Sequence, residues 1–106
     1  MGIFDMFRTP DINAEVERFR AEPGAALLDV RESDEYAEGH IPGSVNIPLS
    51  DIARVEARLP DKGGKYFVYC LSGARSGRAV DYMTAHGYTD VTNIGGIRAY
   101  RGRTER

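Results

Sequence analysis

One cysteine and the residues that follow it form the part of this sequence best suited to chemistry. Cys70 ends an apolar run and opens the segment Cys70-Leu71-Ser72-Gly73-Ala74-Arg75-Ser76-Gly77. A strand that turns through so tight a loop into a helix directs several backbone N–H groups inward, where they attract an anion. The N-terminus of the helix adds its positive end. Both effects, together with the nearby charge of Arg75, favour the thiolate and predict a nucleophile at Cys70.

The alternative interpretation is that Cys70 is only a core residue, since unpaired cysteines are among the most buried side chains. The composition of the loop argues against it, because a core cysteine does not require a polar, glycine-containing segment after it. Gly73 allows the backbone to bend without a Cβ clash, and the hydroxyls of Ser72 and Ser76 can hydrogen-bond to a thiolate or a bound oxyanion. We therefore predict that Cys70 is catalytic and that the binding loop consists of Leu71, Ser72, Gly73, Ala74, Arg75 and Ser76.

The composition is that of one ordinary globular domain of 106 residues. We expect residues 1–106 to be a single domain with a core from about 10 to 100 and a basic tail over 101–106. The net charge of −2 argues against nucleic-acid and membrane-surface partners, although twelve of the fourteen basic residues are Arg, which suits oxyanions. One cysteine permits no internal disulfide, so we expect a reducing, cytoplasmic location. We expect no signal peptide between Met1 and Pro10 and no transmembrane helix.

Helical and strand patterns alternate along the chain, which predicts an α/β domain with three layers: a central, mainly parallel sheet flanked by helices. Thr9 is the predicted cap of the first helix, Ser50 that of the third, and Gly87 the left-handed cap that ends the fourth. A turn at Gly95-Gly96 leads into a short C-terminal helix or tail. The predicted helices are Pro10–Arg20, one starting at Ser33, Ser50–Leu59 and Ser76–His86, and the predicted strands are Ala26–Val30, Ser44–Ile47, Tyr66–Tyr69 and Val91–Ile94.

Right-handed crossovers bring the carboxyl ends of parallel strands to one edge of the sheet, where ligands bind in such folds. Cys70 follows one of these strand ends. Asp29 and Arg31 lie at another, and we interpret them as a structural polar pair that supports the loop rather than as catalytic groups.

Four segments in this order resemble the rhodanese family, and together they cover roughly residues 26 to 100. The Cys-x4-Arg spacing from Cys70 to Arg75 looks like the family's active-site loop. The other three segments are similar to its first strand, its N-terminal signature and its closing motif: Leu28-Asp29-Val30-Arg31 with Glu35-Tyr36, Gly39-His40-Ile41-Pro42-Gly43-Ser44 with Asn46, and Asn93-Ile94-Gly95-Gly96-Ile97-Arg98-Ala99-Tyr100.

The resemblance implies a sulfurtransferase that works by a ping-pong mechanism through a persulfide on Cys70. Donors would be thiosulfate or a persulfide, acceptors a thiol, cyanide or a sulfur-accepting protein, with no metal and no cofactor. Two positions depart from the family pattern. Tyr100 stands where a Trp is usual, and Arg75 is the only cation of the loop, whereas members specialised for thiosulfate often carry more positive charge there.

Three other functions compete with this interpretation. Phosphatases and arsenate reductases of the same fold have a loop one residue longer, Cys-x5-Arg, since phosphate needs a wider cradle. Docking modules of the family usually lack the cysteine. A sulfur relay to a specific protein partner has the same residues as a small-molecule enzyme, so this alternative stays open.

The remaining polar residues have structural interpretations. We expect His40 to belong to a turn and His86 to interact with a helix C-terminus, and one Cys with two His does not make a zinc site. We interpret Asp34, Glu35 and Glu38 as a solvated helix face. The basic C-terminal residues are either solvated or a docking patch for an acidic partner: Arg98, Arg101, Arg103 and Arg106.

Overall fold

The computed structural model describes residues 10–106 and contains one parallel sheet with helices on both faces. No helix among these residues has the length and apolarity needed to cross a membrane. The helices are α1 (Ile12–Ala21), α2 (Ser33–Glu38), α3 (Val55–Arg58) and α4 (Ala74–Ala85), with 3₁₀ segments at Leu49–Arg54 and Ile97–Ala99, and the strands are β1 (Ala26–Asp29), β2 (Ser44–Asn46), β3 (Lys65–Cys70) and β4 (Asp90–Gly96).

The sheet has the strand order β2-β1-β3-β4, and all three strand pairs are parallel. Alternate residues of the central strand β3 enter different cores because successive side chains point to opposite faces. Phe67 and Tyr69 pack with Ile12 and Val16 of α1 on one face. On the other face, Tyr66, Val68 and Cys70 pack with Ala79 and Met83 of α4. The predicted three-layer α/β fold with a parallel sheet is therefore confirmed.

The first helix begins later than predicted. Its N-cap is Asp11, whose carboxylate accepts hydrogen bonds from the N–H groups of Asn13 and Ala14 at 3.0 and 3.5 Å. Pro10 precedes this cap instead of occupying the first helical position. The predicted cap, Thr9, lies outside the described residues.

The predicted helix from Ser50 to Leu59 is wrong in its first half. Asp51 N–H donates to the Pro48 carbonyl at 2.8 Å, which closes a 3₁₀ turn before Ser50 can act as a cap. Asp51 itself has φ −110° and ψ 19°, so the chain kinks there and regular α-helix starts only at Val55. Ser50 therefore lies inside the 3₁₀ segment and caps nothing.

At the other end of the chain, β4 runs two residues further than predicted. Gly95 and Gly96 belong to the strand, and the register with β3 shifts between Val68 and Tyr69, so a bulge replaces the expected turn. Gly95 has φ +98°, which glycine alone adopts without strain. The left-handed conformation of Gly87 after α4, with φ +96°, confirms the predicted helix end.

The C-terminal tail folds back on the domain. Glu105 forms an isolated antiparallel bridge with His40, with N–H to carbonyl distances of 2.8 and 2.9 Å in the two directions. The backbone of residue 105 is thus bound to the domain, although every side chain of residues 101–106 is exposed.

Candidate functional site

Cys70 is the last residue of β3, and its side chain enters the core on the α4 face of the sheet. Only 1% of the residue is exposed. The chain then bends back at Gly73, which has φ +108°, and Gly73 N–H donates a hydrogen bond to Cys70 Sγ at 3.0 Å. Ser76 Oγ lies 3.3 Å from the same sulfur. The loop therefore encloses the thiol in hydrogen-bonding groups, as its sequence predicts.

The pKa of the Cys70 thiol reflects two opposed effects. Burial raises this pKa because it disfavours the charged thiolate. Hydrogen bonds from the Ser76 hydroxyl and from the backbone of Ser76, Gly73 and Ser72 outweigh burial, so that the pKa lies below the ordinary value. This arrangement favours a nucleophilic sulfur in otherwise apolar surroundings.

The end of β4 holds the loop in position. Gly96 lies directly against the backbone of Leu71 and Ser72, so close that a Cβ on Gly96 would overlap the Leu71 carbonyl. Arg98 N–H donates to that carbonyl at 3.1 Å. Beside this contact is a cavity of about 370 Å³, lined by Pro10, Ile12, Leu71, Ser72, Gly73, Asn93, Gly95, Gly96, Arg98 and Ala99.

Arg75 is paired across the site with a residue that we expected to be merely solvated. Its guanidinium donates to both carboxylate oxygens of Glu35 on α2, at 2.7 and 3.1 Å. These hydrogen bonds lower the pKa of Glu35 to about 2 and raise that of Arg75. The interpretation of Glu35 as part of a solvated face is therefore wrong, while Asp34 and Glu38 are exposed as expected.

The other loop residues differ in exposure. Ser72 and Ala74 are exposed, Leu71 is half-buried, and Ser76 is fully buried. Ser76 alone brings its hydroxyl to the sulfur, because the Ser72 contact with Cys70 is made by the backbone.

Asp29 and Arg31 form a buried ion pair at the end of β1. Arg31 donates from Nη2 to Asp29 Oδ2 at 2.7 Å and to the Gly39 carbonyl at 2.8 Å. Asp29 lies opposite Tyr69 in the sheet, so the pair is adjacent to the strand end that carries Cys70. Asn46 Nδ2 donates to the carbonyls of both Asp29 and Arg31, at 3.0 and 2.9 Å. These contacts place the pair at the predicted edge of the sheet, beside the loop and not in it.

Sequence reasoning missed the role of Asn93. Its side chain, on β4, accepts a hydrogen bond from the Ser76 hydroxyl and donates one to the Gly73 carbonyl. It therefore contacts two residues of the loop. Asn93 stands at the start of the closing motif. In the sequence alone, only its nearness to Gly95-Gly96 could have indicated a part in the site.

The two histidines make local contacts away from the sulfur. His40 stacks on Tyr36, with ring centroids 3.7 Å apart, and its Nδ1 lies 2.9 Å from the Tyr36 carbonyl. His86 is the C-cap of α4, and its Nδ1 lies 2.8 Å from the Tyr82 carbonyl. Within residues 10–106, no three His, Cys, Asp or Glu side chains gather as a metal site would require.

Known proteins resemble this chain in both sequence and fold. The thiosulfate sulfurtransferase PspE of Escherichia coli K12 is 39% identical over 72 residues, which cover 67% of this chain and 69% of that protein. The thiosulfate:glutathione sulfurtransferase of Saccharomyces cerevisiae is 34% identical over 83 residues, covering 67% of this chain and 60% of that protein. A solved structure described as a rhodanese with anions from E. coli has 34% identity and a TM-score of 0.72, covering 77% of this chain and 98% of its own.

The family called Rhodanese-like domain matches residues 13–103, which include every element of the sheet and the whole loop around Cys70. With this match and these relatives, the chain belongs to the rhodanese-like domain family.

Proposed function

We propose that the protein is a sulfurtransferase that carries sulfane sulfur as a persulfide on Cys70. The observation that carries the proposal is the pair of hydrogen-bonding groups at Cys70 Sγ: Gly73 N–H, which donates at 3.0 Å, and the Ser76 hydroxyl at 3.3 Å. Groups that stabilise a thiolate at this position also suit the terminal sulfur of a persulfide, which bears the same charge one bond further out. The names of the two sulfurtransferase relatives agree with this chemistry.

In the first half-reaction, the Cys70 thiolate attacks the outer sulfur of the donor. With thiosulfate, a Cys70 S–S bond forms, the S–S bond of the donor breaks, and the bonding pair leaves with sulfite. With a persulfide donor, the leaving group is the donor's thiolate. In both cases the transferred sulfur remains on Cys70 and carries the negative charge.

In the second half-reaction, an acceptor thiolate attacks the outer sulfur of Cys70–S–S⁻. A new persulfide forms on the acceptor, and the bonding pair returns to Cys70 as its thiolate. Cyanide in place of the thiol would yield thiocyanate. No metal or cofactor takes part in either half, and Asp29 and Arg31 act only by holding the edge of the sheet.

Because Arg75 is paired with Glu35, a persulfide should be a better sulfur donor than thiosulfate. Arg75 is the one cation among residues 70–76, and its charge is already balanced by the carboxylate. A dianionic donor therefore gains less from it than from an uncommitted cation.

A sulfur relay to a protein acceptor in the cytoplasm is the second candidate function, and the exposed Arg98 beside the loop is the observation that favours it.

The test is the intact mass of the protein after treatment with thiosulfate or with a small-molecule persulfide. We expect a gain of one sulfur atom that is reversed by an excess of thiol, and no gain for Cys70→Ala. Ser44→Ala, which also alters a buried polar residue, but one on β2, is the matched control and should still gain sulfur. Lack of any gain from either donor, or hydrolysis of an aryl phosphate through Cys70 faster than sulfur transfer, would overturn the proposal.

A further inference from the structure

The side-chain amide of Asn93 has only one orientation consistent with its neighbours. Its Oδ1 accepts from Gly95 N–H at 3.0 Å, and its Nδ2 donates to the Gly73 carbonyl at 3.1 Å. A backbone N–H can only donate and a carbonyl can only accept, so exchanging Oδ1 and Nδ2 would break both bonds. Oδ1 of Asn93 therefore faces Ser76. Oδ1 can only accept a hydrogen bond from the Ser76 hydroxyl.

Ser76 lies between three atoms that compete for its hydroxyl proton. Its Oγ is 2.7 Å from Asn93 Oδ1, 3.1 Å from the Gly73 carbonyl and 3.3 Å from Cys70 Sγ. A hydroxyl has a single proton to donate. When that proton points to Asn93, along the shortest of these distances, the contact between Ser76 and Cys70 is a hydrogen bond only if the sulfur donates its own proton.

An anionic sulfur needs the opposite arrangement. Once Cys70 is a thiolate or a persulfide, it has no proton to donate, and the Ser76 hydroxyl must turn from Asn93 toward the sulfur to keep the contact. We infer that Asn93 is a positioning residue that competes with the Cys70 sulfur for the hydroxyl proton of Ser76. The inference deepens the proposed sulfur-transfer function and rests on it for its biological meaning.

Asn93 also holds the residue whose amide reaches the sulfur. The Gly73 carbonyl that accepts from Asn93 Nδ2 belongs to the same residue as the N–H that donates to Cys70 Sγ. Asn93 thus holds the Gly73 N–H in place as a donor to the sulfur and draws the Ser76 hydroxyl away from the sulfur. The charged groups packed around the loop are Arg75 on α4, Glu35 on α2, the Asp29–Arg31 pair at the end of β1 and Arg98 after β4, and the substitutions below leave all five in place.

The experiment is the pH dependence of Cys70 alkylation by iodoacetamide in Asn93→Ala, Ser76→Ala and the double variant. Ser76→Ala should raise the midpoint, because the hydroxyl bond to the thiolate is lost. Asn93→Ala should lower it by about one unit, since the acceptor nearest to the Ser76 hydroxyl is removed and the hydroxyl can turn to the sulfur. In the Ser76→Ala background, Asn93→Ala should no longer lower the midpoint, because only the support that Asn93 gives to Gly73 remains to be lost. Thr92→Ala, an exposed neighbour on the same strand, is the matched control and should resemble wild type.

Asn93→Leu is a second test that keeps the branched shape of the side chain, and we expect it to lower the midpoint as Asn93→Ala does. A higher midpoint in these variants would mean that Asn93 only supports the loop, and a shift of equal size with and without Ser76 would mean that the effect does not pass through the hydroxyl. Either result overturns the inference. Alkylation needs no sulfur donor, so failure of the proposed sulfur transfer would be seen in the mass measurement and not here.

Discussion

Glu35 has two partners at the start of α2, and each explains part of its behaviour. Its carboxylate accepts from Glu32 N–H at 2.9 Å, which forms one half of a capping box, and it binds both outer nitrogens of Arg75. The two side chains are 29% and 32% exposed, so solvent screens part of their attraction. The pair nevertheless joins α2 to the first turn of α4, directly behind the loop.

The low pKa of Glu35 gives the ion pair a defined pH dependence. A carboxyl with a folded-state pKa of about 2, against 4.5 in the unfolded chain, stabilises the fold above about pH 5 and loses this contribution as the pH falls toward 2. We expect the free energy of unfolding of Glu35→Gln to be about 1 kcal/mol lower than that of wild type near pH 7, and nearly equal to it near pH 2. This figure discounts the pKa shift for solvent screening. Urea titrations at several pH values measure this.

Glu38→Gln, which removes an exposed carboxylate from the same helix, is the control and should follow wild type at each pH. A Glu35→Gln difference that stays constant from neutral to acid pH would show that the carboxylate charge is not what stabilises the contact.

The polar pairs of the site show why a sequence reveals some residues and hides others. Cys70, Gly73 and Ser76 are close in sequence, so the loop could be predicted from its local pattern. Arg75 and Glu35 are 40 positions apart, and the partners of Asn93 are 17 and 20 positions away. These contacts depend on the packing of α2 and β4 against the loop, which local patterns do not contain.

Among the elements, β4 and the loop approach each other more closely than any side chain would allow. Gly96 has φ −128° and ψ 145°, an extended conformation open to all residues, so the requirement for glycine there is one of space. The neighbouring Gly95 is required for its positive φ instead. In the sequence, Gly95 and Gly96 together predict a turn. Their different roles, a positive φ and a close contact, become clear only from the bulge in β4.

We expect Gly96→Ala to push Leu71 and Ser72 away from β4 and to spread the amides around Cys70. Overpacking of this kind costs about 1 to 3 kcal/mol, and a displacement of about 1 Å at a reacting group can cost about a hundredfold in rate. Sulfur transfer should therefore fall far more than the folded fraction does, which stopped-flow assays and thermal unfolding together measure.

Gly63→Ala serves as the comparison, because a Cβ there would meet its nearest atom at an ordinary 3.6 Å. If Gly96→Ala transferred sulfur at the rate of Gly63→Ala, the close approach of β4 would not be what shapes the loop.

The elements themselves were predictable where hydrophobic pattern and termination signals agree. The buried run before Cys70 and the Gly87 cap specified β3 and the end of α4. Two of the errors fall where a short-range hydrogen bond decides the boundary: at Asp11, which caps α1, and at Pro48, whose carbonyl starts a 3₁₀ turn.

On the scale of the whole molecule, the bridge between Glu105 and His40 joins the C-terminal tail to the turn after α2. That turn also carries the Gly39 carbonyl, which accepts from Arg31. The tail is thereby linked, through Gly39 and Arg31, to the buried Asp29 at the sheet edge beside the loop. A basic, solvated tail was the expectation, and its backbone has this additional structural role.

Glu105→Pro removes the N–H that donates to the His40 carbonyl and should lower the free energy of unfolding by about 1 kcal/mol. Glu105→Ala keeps that N–H and loses only the long contacts of a half-exposed carboxylate with His40 and Arg103, both 3.8 Å, so it should unfold like wild type. Chemical denaturation of the two variants separates backbone from side chain, and equal stabilities would show that the bridge does not contribute.

The chain has one cysteine, and this residue is only 1% exposed beneath the loop. A protein with a second thiol nearby can release a bound sulfur by closing a disulfide and expelling it. This chain has no second cysteine to act in this way, so under the proposed function a sulfur held on Cys70 would stay until an outside nucleophile arrives. The same lack leaves an oxidised Cys70 without an internal partner that could rescue it. On that proposal, access through the loop would set both how long the sulfur stays on Cys70 and how readily the thiol is oxidised.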